Sequence, residues 1–107
     1  MTLRTLLALA VMIATPSVAL AQHAITAQEG YKEANDKMMQ DMMMPMSGDA
    51  DKDFVMMMLR HHQGAIDMAQ VELKYGKDPM LLDMAKKIIE AQEKEIAEMK
   101  KWQAENP

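Results

Sequence analysis

His61 and His62 stand side by side at the centre of FVMMMLRHHQGAIDMAQVEL, the stretch from Phe54 to Leu73, and Met57 and Met58 each precede one of them by four residues. On a helix, residues four apart are neighbours. Met57 with His61, and Met58 with His62, therefore place a thioether and an imidazole on one edge. Sulfur and imidazole donors without a carboxylate-rich shell suit Cu(I), and the chemically similar Ag(I), over Mg, Ca or Mn. Zn is reachable through two histidines, but it usually takes Cys or a third His. The chain has no Cys, and His23, in a frayed start from Gln22 to Ala24, is assigned no role.

Three helical segments must position these side chains. Thr26 through Glu29 reads as a capping box opening a short first helix, with Tyr31, Ala34, Met38 and Met42 at helical spacing. Pro45 and Gly48 end it. The second helix is capped by Asp51, with Asp49 and Asp53 favourable at its dipole's positive end, and runs to about Tyr75, where Gly76 is a natural C′ residue. The alternating Asp residues lack the other ligands and the closing Glu of a calcium loop. Asp78 and Pro79 supply N-cap and N1 of a third helix running from Met80 to about Gln103. So short a linker makes helices two and three an antiparallel hairpin.

On helix two, Phe54, Met58, Ala65, Met68 and Ala69 point one way, and Arg60, Gln63, Asp67, Gln70 and Lys74 roughly opposite. His61 and His62 flank the centre of the apolar stripe. On helix three the stripe is Leu81, Met84, Ala85, Ile88, Ile96, Met99 and Trp102, with Gln92 and Glu95 inside it. A hairpin turning near Lys77 sets residue i opposite residue 154 − i. The two histidines then face Gln92, within a turn of Glu95, and Met58 faces Ile96. Polar groups buried unpaired cost roughly 1–3 kcal/mol each, so this cluster must bond internally or hold something. One reading is a closed network in which an imidazole N–H donates to Glu95 and Gln92 completes the set. The other gives a ring nitrogen to metal, with Met57, Met58, Met68 and Met99 as nearby thioethers and Gln92 or Glu95 orienting the ring.

Met42, Met43, Met44 and Met46 crowd around Pro45, where no single helical face can bury all four. Loose packing explains such a cluster; a flexible thioether loop forming a second metal site explains it equally.

Residues 1–21 form a secretory signal peptide: a basic start at Arg4, an apolar run from Leu6 to Ala14 too short to span a bilayer, and an A-x-A site at Ala19 to Ala21. Cleavage leaves residues 22–107, 86 in all (107 less 21), enough for one modest Met-rich domain. A small exported domain without Cys lacks the usual disulfide staples. Its stability must come from packing, oligomers or metal. Thirteen of the fifteen methionines lie beyond Met12, against four aromatic residues. The thioether is a soft ligand that forms no disulfide in an oxidising compartment. A formal charge of −4, −5 once Arg4 is removed, disfavours nucleic acid as a partner.

The pattern F-x-x-x-M-x-x-H-H-x-x-A-I-x-M-A, here Phe54, Met58, His61, His62, Ala65, Ile66, Met68 and Ala69, resembles a known family. So does Q-x-x-E-I-x-x-M-x-x-W, here Gln92, Glu95, Ile96, Met99 and Trp102, with the G-K-D-P turn from Gly76 to Pro79 between. The family is the domain-of-unknown-function family DUF305, which includes CopM-type periplasmic copper-binding proteins, and the resemblance spans about Asp51 to Trp102. It implies an all-α, ferritin-like helical bundle: a short N-terminal helix plus a long antiparallel hairpin, closed alone or by dimerisation. It also implies Cu(I) or Ag(I) binding in the periplasm through His61, His62, Met58 and Met68.

Three function classes follow. The first is a periplasmic soft-metal buffer or chaperone, with Cu(I) as cargo, no tightly built-in cofactor, no membrane association after signal cleavage, and a copper donor or acceptor protein as partner. The second, a ferritin-like di-iron oxidase, needs Glu-x-x-His pairs with inward glutamates, and no Glu stands three residues before either His. With Ser17 and Ser47 in the signal peptide and a loop, nucleophilic catalysis has no basis either, and a non-enzyme is expected. The third is a metal-free interaction module with a Met-rich packing surface. A core this small points to a homodimer or a flexible monomer closed by metal.

Overall fold

The computed structural model describes residues 16–107. Three helices follow one another: α1 (Pro16–Asp41), α2 (Ala50–Tyr75) and α3 (Pro79–Glu105). The all-α helical bundle expected from periodicity is present. Helix α2 packs against both others, while α1 and α3 do not pack against each other. No described helix is long and apolar enough to cross a membrane. Met1 to Arg4 and Leu6 to Ala14 of the expected signal peptide lie outside the described residues.

The first helix is not short. It matches α2 in length and passes through the expected capping box, where Thr26 Oγ1 donates to the Gln22 and His23 carbonyls instead of capping a new start. Nothing between Pro16 and Asp41 breaks a helix except Gly30, and Pro16 occupies a first-turn position where its missing N–H costs nothing. His23 therefore lies inside α1 and reaches α2: its Nε2 lies 2.9 Å from the carbonyl oxygen of Tyr75, a hydrogen bond to the helix C-terminus, and the two rings meet edge to face at 5.1 Å. The partly covered stripe of α1 is His23, Thr26, Ala27, Gly30, Ala34, Met38 and Met42.

The cap of α2 falls two residues earlier than expected. Asp49, in extended conformation, accepts from the Asp51 and Lys52 N–H groups, while Asp53 accepts from Ser47 and Gly48 and closes the loop before the helix. Asp78 and Pro79 open α3 as expected, Asp78 accepting from Met80 and Leu81. Gly76 ends α2 with extended backbone, φ −69° and ψ 158°, not in the left-handed conformation typical of a C′ glycine. A side chain is excluded there for another reason: a Cβ would sit 2.6 Å from the Glu72 carbonyl oxygen.

The core is thin. Its buried apolar residues are Ala34, Val55, Ile66, Ala69 and Ala85, so small side chains let the helices approach closely. Gly64 marks the closest crossing of α1 and α2, where an added Cβ would lie 3.0 Å from the Met38 Cβ and closer still to its sulfur. The inward stripe of α3 is Leu82, Ala85, Ile89, Gln92, Ile96 and Met99, a three-four spacing; Leu81, Met84 and Ile88 form a neighbouring exposed row. Phe54, expected in the stripe of α2, is 60% exposed, while Val55 and Ile66 are buried. A helix held between two partners is apolar on two sides, and a single-stripe reading merges them.

Candidate metal centre

On α2, Val55, His62 and Ala69 recur every seven residues and are all buried. His62 thus takes a position in the apolar seam, and Gln92 takes one on α3. The His62 ring, 5% exposed, donates from Nε2 to Oε2 of Glu95 across the hairpin. The carboxylate accepts, so Nε2 carries a proton, and in the tautomer protonated there alone Nδ1 keeps a lone pair. Among the described residues, that buried Nδ1 has no partner, and neither has Oε1 of Gln92. The expected network is half built: the Glu95 bond exists, but Gln92 does not close it.

The bond joins His62 to Glu95, whose numbers sum to 157, three more than the expected 154. Met58 with Met99, and Val55 with Trp102, give the same sum. These residues, with Asp51, Phe54 and Glu98, line one open hollow of about 640 Å³.

The structure therefore brings together His62, Met58, Met99 and Glu95, with Gln92 close by in the seam. It places the other expected ligands elsewhere. His61 is exposed on the neighbouring face. Met57, a turn before it, is half-buried and does not line the hollow. Met68 lines a second hollow of about 360 Å³, with Tyr31, Leu81, Met84, Ala85 and Ile88. Met43, Met44 and Met46 are exposed in the loop between α1 and α2, and Met42 is half-buried at the end of α1. Among the described residues, no three His, Asp or Glu side chains cluster as they would around a hard metal ion.

Sequence reasoning placed Phe54 and Trp102 in apolar stripes and did not see them as walls of the site. The signal was present: Glu95, Met99 and Trp102 repeat at four and three residues, in step with His62, Met58 and Val55. No curated protein gives a significant match to this chain. A family model described as a domain of unknown function (DUF305) matches residues 3–103, and the chain belongs to that family.

Proposed function

We propose that this chain is an exported periplasmic protein that binds Cu(I), and equally Ag(I), in copper tolerance or trafficking, and that it catalyses no reaction. The observation that carries this reading is the buried Nδ1 of His62, without a partner among the described residues, on a residue that lines a hollow together with two methionines. Leaving a buried acceptor unsatisfied costs roughly 1–3 kcal/mol, and a soft cation removes that cost. Met58 and Met99 supply sulfur, and Glu95 fixes the ring tautomer through the other nitrogen, as carboxylates commonly do behind a metal-bound histidine. Two thioethers and an imidazole favour a soft monovalent ion over Ca, Mg or Zn. Export by the N-terminal 21 residues and a ferritin-like relation belong to the same reading.

Titration with Cu(I) under reductant, against a competing chelator, tests it. One equivalent should bind in the wild-type protein and be lost in His62→Ala. An unchanged affinity in that variant removes the site.

A second reading has an observation of its own. Met80, Leu81, Met84 and Ile88 are exposed along α3, and such a row suits a Met-rich surface that docks a partner helix or a second copy. Sedimentation of the metal-free protein separates the two: a stable apo dimer favours packing, and a monomer that responds to Cu(I) favours the metal.

A further inference from the structure

We propose that Trp102 is the fourth wall of the soft-cation site, its indole face covering the side of the ion that sulfur and nitrogen leave open. This rests on the metal reading above and adds to it a residue that selects for a low-coordinate monovalent ion.

The placement follows from the lining of the hollow. Val55, Met58 and His62 on α2, and Trp102, Met99 and Glu95 on α3, step along it at three and four residues, with His62 bonded to Glu95 at one end. Successive steps lie about one helical turn apart, roughly 5.4 Å. An ion held between the two sulfurs thus has the imidazole level on one side and the indole level on the other. Trp102 is half-buried, so it borders the hollow without filling it.

The chemistry agrees with the placement. Two thioethers and one imidazole give at most three donors, which satisfies a soft monovalent ion but not a hydrated divalent one. The open face is then met either by water and the rim carboxylates, Asp51 and Glu98, or by an aromatic face. Indole is the best of the aromatic side chains at attracting a cation, and the attraction grows as water is excluded. Hard ions that keep their hydration shells gain little from it. A capped ion is also held away from the tetragonal nitrogen and oxygen coordination that Cu(II) prefers.

Trp102 is the only tryptophan, so the chain reports on itself. Cu(I) under reductant, and separately Ag(I), are titrated into the full chain while the indole absorption and emission are followed, with affinity measured in parallel by chelator competition. The expected result is a red-shifted shoulder on the indole band that saturates at one equivalent, and no shoulder with Zn(II). Trp102→Phe should lose the shoulder and bind roughly two- to tenfold more weakly. One-equivalent binding with an unchanged wild-type indole band overturns the cap but leaves the metal reading intact, because the carboxylates then close the shell. No binding in the wild-type protein overturns both. The wild-type spectrum decides even if the variant does not fold.

Discussion

His61 and His62 are adjacent in the chain, yet their ring centroids stand 6.2 Å apart with planes at 64°, one exposed and one buried. A helix turns about 100° per residue, enough to carry a neighbour from the α3-facing seam to solvent. The buried ring of His62, lining the hollow, is therefore the one expected to hold metal. His62→Ala should lower Cu(I) affinity about a hundredfold or more, at least as much as losing an outer-shell partner commonly does. His61→Ala should change it less than about threefold. Chelator competition on both variants checks this, and equal losses would show that both rings bind.

Among the described residues, Glu95 is the only hydrogen-bond partner of the His62 ring. Glu95→Ala frees the ring to rotate and should weaken metal binding roughly ten- to hundredfold. The fold should survive, losing about 1 kcal/mol for a lost hydrogen bond, as read by a thermal melt. A full loss of affinity with unchanged melting would instead make Glu95 a ligand.

Much of this was legible in the sequence, and the gaps have physical causes. Apolar spacing and the Asp78–Pro79 start give three helices and a hairpin, and the His pair marks the level of the site. The sequence sets His62 opposite Gln92 and within a turn of Glu95, and the bond goes to Glu95, a choice that linker length alone does not make. The cap moved from Asp51 to Asp49 because Asp53 is engaged with Ser47 and Gly48, leaving Asp49 free to serve Asp51 and Lys52. The sequence puts His23 in a frayed start because its partner, the Tyr75 carbonyl, lies 52 residues away. No local rule finds such a contact.

Gly64→Ala should destabilise. Replacing a helical glycine by alanine gains about 1 kcal/mol in propensity, but overpacking the Met38 contact costs roughly 1–3 kcal/mol. The net loss, up to about 2 kcal/mol, should lower the melting temperature by several degrees. A rise in melting temperature would show that the Met38 side chain yields freely.

The loop before α2 should loosen in acid. Hydrogen bonds from the Ser47 backbone and hydroxyl, then from the Gly48 backbone, hold the Asp53 carboxyl below its ordinary value. A depressed carboxylate contributes stability above its unfolded value and loses it as pH falls through the folded one. Hydrogen exchange at the Ser47 and Gly48 amides should therefore rise, relative to the intrinsic rate, as pH drops below about 4. Asp53→Asn should show the open loop at neutral pH; amides still protected in that variant would assign the ordering to other bonds.

His23→Ala removes a hydrogen bond and an edge-to-face ring contact between α1 and α2. A loss of about 1–2 kcal/mol is expected, with Cu(I) affinity unchanged. A coupled fall in affinity would tie α1 to the metal site.

Among the described helices, α1 packs against α2 and not α3, and the described wall of the hollow around His62 is made by α2 and α3. The protein thus divides its labour: one helical pair forms the hollow, and the outer helix acts as a splint along the back of α2. Fraying of that splint would shorten the lifetime of the folded chain and leave the walls of the hollow in place while the fold lasts.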